Sequence, residues 1–157
     1  ELQSAFDRSI FRRDHTLDTK RLAQLAFRDE ISTQKLNQLV HPRMVESLVE
    51  EMEQARFSGK YAIILIDAAL IYEICIENMF DAVIVVDAPI RMREKRVIQR
   101  DNMTRKEFRA RLDKQIPLDD KVRWADYVIK NDGTLDNLKQ KSRTIYSLLL
   151  KEQKVLV

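Results

Sequence analysis

An α/β fold built on a parallel sheet is predicted by three features of the sequence. Two short apolar runs rich in β-branched residues, Tyr61 to Asp67 (YAIILID) and Ala82 to Asp87 (AVIVVD), are continuous rather than alternating. That is how strands covered on both faces read. A shorter run, Tyr127 to Lys130 (YVIK), reads as a third strand. Helical patterns fill the stretches between them, and strands alternating with helices argue for a parallel sheet with helices on both faces. Three strands are few for so apolar a sheet, so further strands are expected ahead of Glu1.

The elements follow in order. Met44, Val45, Leu48, Val49, Met52 and Ala55 recur at helical spacing, which predicts an amphipathic helix from Pro42 to Ser58. Pro42 then takes a permitted first-turn position and Gly59 is the stop. Pro89 opens a second helix to about Arg100, and Thr104 with Glu107 forms a capping box for a third, to about Gln115. Pro117 ends that one. Asn131-Asp132-Gly133 is a turn signal, after which Leu135, Leu138, Ile145, Leu148 and Leu149 indicate a terminal helix. There is no internal repeat, low-complexity segment or linker, so residues 1–157 are expected to form a single domain with one core, as the length and 45% apolar content also suggest.

Composition excludes several function classes. No apolar run approaches the length of a membrane span, and Glu1 to Asp7 have no signal-peptide pattern, so no membrane association is expected. Cys75 is the only cysteine, which excludes an internal disulfide and a cysteine-rich zinc site. It fits a reducing compartment, with the cytoplasm as the expected location, and reads as an ordinary buried or half-buried thiol. The 28 basic and 25 acidic residues are interspersed, so the net charge of +3 carries no nucleic-acid footprint. Nothing in the sequence specifies an oligomeric state. The absence of an initiating Met leaves open whether Glu1 is a natural terminus.

Candidate chemistry gathers at the strand ends and on the arginines. Asp67 and Asp87 each end an expected strand, where ligands of open parallel sheets collect. An acid there can hold magnesium through water, orient a hydroxyl, or simply cap the following turn. Arg91, Arg93, Arg96 and Arg100 follow the second run, with Arg96 and Arg100 spaced i, i+4 on one helix face. Arg105, Arg109 and Arg111 come next. Guanidinium groups match phosphoryl oxygens with paired donors; the alternative is a solvated hairpin in which Glu94, Asp101, Glu107 and Asp113 are their partners. His41 before Pro42 can donate to a ligand or cap a turn, and His15 is too distant to complete a metal-ligand spacing. No serine sits in a nucleophile elbow. Trp124 and the tyrosines do not form a stacking platform and are expected in the core or half-buried.

Seven segments in order, TLDTKRLAQLAF (Thr16 to Phe27), LNQLVHPRM (Leu36 to Met44), IDAALIYE (Ile66 to Glu73), VIVVDAP (Val83 to Pro89), RVIQRDNMT (Arg96 to Thr104), RLDKQIPLDDK (Arg111 to Lys121) and ADYVIKNDGTLDNL (Ala125 to Leu138), resemble the successive signatures of the dephospho-coenzyme A kinase family. The resemblance covers nearly the whole chain. It implies a three-layer parallel-sheet P-loop kinase fold whose first strands and P-loop helix lie ahead of residue 1. It also implies ATP-dependent phosphorylation of the ribose 3′-hydroxyl of dephospho-coenzyme A, the last step of coenzyme A biosynthesis, with ATP, Mg2+ and dephospho-coenzyme A as cofactor and substrates. His41, Asp67, Leu70, Tyr72 and Glu73 would line the acceptor side. Arg96 and Arg100 would belong to a lid over the phosphates of ATP, Arg100 supplying transition-state charge, while Asn131 and Gly133 would flank the adenine. Gln115 and Lys121 match family positions too.

Two departures stand out. Ala68-Ala69-Leu70-Ile71-Tyr72-Glu73 replaces the proline, two leucines and phenylalanine more often found before the glutamate. A phosphate-cradling G-x-x-x-x-G-K-[ST] loop is absent, since the two glycines are Gly59 and Gly133, and so is the early acidic residue that would act on the acceptor hydroxyl. The chain by itself is therefore expected not to catalyse. The alternatives are an inactive binding or interaction module and a relative of nucleoside monophosphate kinases.

Overall fold

Asp18 and Asp29 set the helical starts of the N-terminal part. Residues 1–153 are described in this computed structural model, and the chain divides into two compact units, Glu1–Ile64 and the part from Leu65 onward. In the first, α1 (Leu2–Phe6) leads through a 3₁₀ turn (Arg8–Ile10) to α2 (Thr19–Ala26) and α3 (Glu30–Phe57). The Asp18 carboxylate accepts from the Arg21 amide at 3.0 Å and Asp29 accepts from the Ser32 amide at 2.7 Å. Each satisfies an amide that has no intrahelical partner. The Thr33 hydroxyl donates to the Ala26 and Asp29 carbonyls, fastening the end of α2 to the start of α3. Ile10, Leu22 and Ala26 form the buried core, with Leu2, Phe6, Phe11, Leu17, Leu25 and Leu36 packed round it.

The long helix corrects one expectation. Pro42 lies inside α3 rather than in a first turn, because the helix begins twelve residues earlier at Glu30. An interior proline removes one hydrogen bond and crowds the preceding turn. Packing of the N-terminal half on α1 and α2 and the Asp29 cap offset that cost. Gly59 does end the helix, with a φ of 61° that only glycine adopts without strain.

The second unit begins irregularly and then becomes α/β. Its elements are a 3₁₀ turn (Glu77–Met79), β1 (Ile84–Asp87), α4 (Ile90–Asp101), α5 (Arg105–Leu112), α6 (Leu118–Trp124), β2 (Tyr127–Lys130) and α7 (Leu135–Gln153). β1 and β2 pair in parallel, with Ile84 opposite Tyr127 and Asp87 opposite Lys130. The Asn131 amide donates to the Asp87 carbonyl at 2.7 Å, carrying the ladder past the strand ends. Val83, Val85, Ala88 and Ile129 are buried along the strands, α6 packs on β1, α7 on β2, and α4 on α5. Thr104 and Glu107 form the full capping box of α5, and Pro89 and Pro117 immediately precede α4 and α6.

Other expectations fail here. Residues Tyr61 to Asp67 form no strand: among the described residues no partner strand pairs with them, and they run across the boundary between the two units. An extended segment without a neighbour has nothing to satisfy its backbone groups. Asp67 is accordingly an exposed loop residue rather than a strand terminus. Cys75 is exposed, and Trp124, Tyr61 and Tyr146 are more than half exposed rather than packed in a core. Among the described residues no helix is long and apolar enough to cross a membrane.

Candidate active site

The turn after Asp67 has few means of holding its own shape. The Ile74 amide donates to the Leu70 carbonyl, and the Ile76 and Cys75 amides donate back to the Ile71 and Tyr72 carbonyls. This is one helical turn closed by a Schellman pattern, with Cys75 at the left-handed position usually given to glycine, φ 56°. Ile76, the next residue, is buried. The rest of the support comes from far along the chain. Lys121 on α6 places Nζ 2.5 Å from Glu73 Oε1 and donates to the Ala69 carbonyl at 3.4 Å. The Ile116 amide donates to the same Glu73 oxygen at 3.2 Å.

Aromatic contact adds to the polar ties. Trp124, three residues beyond Lys121 and so on the same helix face, meets Tyr72 edge-on at 5.5 Å between ring centroids. Glu73 Oε2, Glu77 Oε2 and the Tyr72 hydroxyl are buried and have no hydrogen-bond partner among the described residues. Burial, with the Asp126 and Glu77 carboxylates adding to it, pushes the Tyr72 phenol above its ordinary value of 10.0. It therefore stays a protonated donor. The Asp126 carboxylate accepts from the Val83 amide at 2.8 Å, which joins the start of β1 to the loop before β2.

The arginines occupy α4 and α5. Arg93 Nε donates to the Ala88 carbonyl at 3.0 Å, fixing the strand-to-helix corner, and Arg96 Nη1 donates to the Asn131 carbonyl at 3.3 Å. Arg100 forms a two-pronged pair with Asp101, at 2.7 and 3.0 Å, and Arg111 lies 3.8 Å from the same carboxylate. Hydrogen bonding to Arg100 holds the Asp101 carboxyl below its usual range, and the pairing raises Arg100 in turn. Arg105 pairs with Glu94 at 3.7 Å. Glu94 and Asp101 thus partner Arg105, Arg100 and Arg111 as a solvated hairpin would have them, while Arg96 reaches out of the hairpin to the Asn131 carbonyl.

Beyond β2 the Asn131-Asp132-Gly133 turn is held by Lys141 of α7, whose Nζ donates to the Lys130 carbonyl at 2.7 Å and to Asp132 Oδ1 at 3.0 Å. A side chain at Gly133 would start 3.3 Å from Asn137 Oδ1, so the turn has little room there. The Thr134 hydroxyl accepts from the Asn137 amide at 3.2 Å and caps α7.

A family model, CoaE, described as dephospho-CoA kinase, matches residues 1–137. The chain belongs to the dephospho-CoA kinase family. It is 31% identical over 153 residues to the dephospho-CoA kinase of Listeria monocytogenes, covering 98% of this chain and 76% of the relative. Against the dephospho-CoA kinase of Corynebacterium glutamicum it is 32% identical over 150 residues, covering 96% and 74%. The crystal structure of TT1252 from Thermus thermophilus superimposes with a TM-score of 0.77 at 27% identity, over 94% of this chain and 74% of that one.

Dephospho-CoA kinase membership bears out the resemblance read from the seven segments, and the α/β fold with a parallel sheet agrees with it. The residues singled out for it are distributed as follows. Tyr72 and Glu73 meet Lys121 and Trp124, and Arg96 meets Asn131. Arg100 engages its neighbour Asp101, Gly133 sits in the turn after β2, and Leu70 starts the helical turn, 36% exposed. Asp67 is exposed beside that turn. His41 lies half-buried on α3, in the other unit. Trp124 and Asp126 carry no site motif in the sequence. The spacing of Lys121 and Trp124 on one face of a seven-residue helix was the available signal, hidden by the charged residues round it.

Proposed function

We propose that the chain serves ATP-dependent phosphorylation of the ribose 3′-hydroxyl of dephospho-coenzyme A in the cytoplasm. The observation that carries this is the Arg96 to Asn131 hydrogen bond, which ties the arginine-bearing helix to the turn assigned to adenine. A lid helix anchored midway along its length to the nucleotide turn can respond to ATP binding. Arg100, one turn further along α4 and itself 76% exposed, exchanges its Asp101 partner for the phosphoryl oxygens, and Arg111 stays beside the Asp101 carboxylate it leaves. There its paired donors match the charge that spreads over the equatorial oxygens. On the acceptor side, Tyr72 and Glu73 offer a phenol donor and a carboxylate oxygen to the substrate's polar groups, with Leu70 and Asp67 at the start of the same turn.

Magnesium enters as the ion carried by ATP, therefore as part of the substrate. It normally needs only one or two carboxylates beyond the phosphates and water. Among the described residues no group of three or more His, Cys, Asp or Glu side chains would hold a metal independently of the nucleotide. The sequence contains no G-x-x-x-x-G-K-[ST] run, so phosphate cradling is assigned to none of its residues.

The test is a coupled assay of ADP release with ATP and dephospho-coenzyme A. Arg100→Ala is expected to lower kcat by about a hundredfold or more, in line with the loss of a transition-state charge contact. Arg96→Ala should chiefly raise the KM for ATP. Acceptor binding by an intact-length protein without any turnover would overturn the reading in favour of an inactive binding module.

A further inference from the structure

We infer that Lys121 is a positioning residue for the acceptor: it holds the turn spanning 69–76 without touching substrate and thereby sets acceptor affinity. This rests on the acceptor-side reading of Tyr72 and Glu73. Three ties converge on that turn. The Lys121 ammonium contacts the Ala69 carbonyl at its start and the Glu73 carboxylate in its middle, and the Ile116 amide donates to the same carboxylate oxygen. The Lys121 and Glu73 side chains are only 12% and 13% exposed, so water neither screens the pair nor replaces either partner when the other is lost.

The geometry separates holding from binding. Lys121 and Ile116 both use Glu73 Oε1, which leaves the buried Oε2 without a partner among the described residues. Buried polar atoms in native proteins are nearly always satisfied, and a hydroxyl or amide donor of a bound acceptor would do so here. Lys121 thus decides which carboxylate oxygen is committed to the protein and which is left without a partner among the described residues. The neighbouring Tyr72 is fixed by Trp124 from the same face of α6, and its hydroxyl is equally unpartnered. Because α6 also packs on β1, the turn is referred to the sheet through this one short helix. The turn has little stability of its own, since Cys75 is in a left-handed conformation that a side chain disfavours.

The experiment uses the full-length protein with Lys121→Met, Lys121→Arg and the double variant Lys121→Met/Glu73→Gln. The double variant removes both buried charges together and so guards against failure to fold. Both Met-containing proteins should raise the KM for dephospho-coenzyme A about tenfold or more while moving the KM for ATP less than about twofold, and Lys121→Arg should recover most of the loss. Hydrogen exchange without substrate should accelerate about tenfold or more at the Ile74, Cys75 and Ile76 amides and stay unchanged in β1. The exchange result is independent of turnover, so an inactive wild-type protein would sink the kinase reading and still decide the fate of the turn. Unchanged exchange at those amides, or an equal rise in both KM values, would overturn the assignment.

Discussion

The two units reach order by opposite routes. In the first, the ties that set the helices are local: Asp18 and Asp29 each cap an amide three residues on, and a small apolar core of Ile10, Leu22 and Ala26 closes over them. Its long-range ion pair, Arg43 with Glu1, is about two-thirds exposed on both sides. In the second, the organising contacts join residues far apart in sequence: Val83 to Asp126, Glu73 to Ile116 and Lys121, and Arg96 to Asn131. Candidate chemistry concentrates where the distant ties are. A turn held from outside can be shaped for a ligand, whereas a turn shaped by its own caps is constrained to be a helix start.

Breaking a distant tie should therefore cost more than breaking a local one. Glu73→Ala leaves the Lys121 ammonium buried and unpaired, and chemical denaturation is expected to show a loss of about 3–5 kcal/mol. Removing the exposed Arg43–Glu1 pair should change stability by less than about 1 kcal/mol, and a comparable loss from the two would erase the contrast. Ile10→Ala empties the one fully buried large side chain among the described residues and is expected to cost about 2–5 kcal/mol, reported by the same unfolding curves. A smaller value would mean that the first unit relies on its caps more than on its core.

The capping box of α5 is a local device inside the second unit and sharpens the comparison at the small end. Thr104→Ala is expected to cost about 1 kcal/mol, measurable as a shifted denaturation midpoint. The smallest effect is its pH dependence. Hydrogen bonds from the Thr104 amide and hydroxyl lower the Glu107 carboxyl below 4.5, so the folded state favours the ionised form. Its contribution is complete above that value and disappears as pH falls through the lowered one. The stability gap between wild type and Thr104→Ala should be level above about pH 4.5 and narrow below it. A gap that widened on acidification would contradict the box.

Features decided within three or four residues were legible in the sequence. Pro89 marks a helix start, Thr104 with Glu107 marks another, and YVIK has the bounds of β2. Pro117, which the sequence marks as the end of a helix, also opens the short α6 that no pattern announced. The ordered segments pointed to the dephospho-CoA kinase family, which the family match over residues 1–137 shows. Other outcomes depended on what each segment met in space. YAIILID has the composition of a strand but remains unpaired among the described residues, because a ladder needs a neighbour's donors and acceptors as well as β-branched side chains. Pro42 looks like a helix start, yet packing upstream carries the helix through it. Glu73 and Lys121 each match a family position in the sequence, but nothing there pairs them across 48 positions. Folding took both out of water, and that burial gives Lys121 its hold on the turn spanning 69–76.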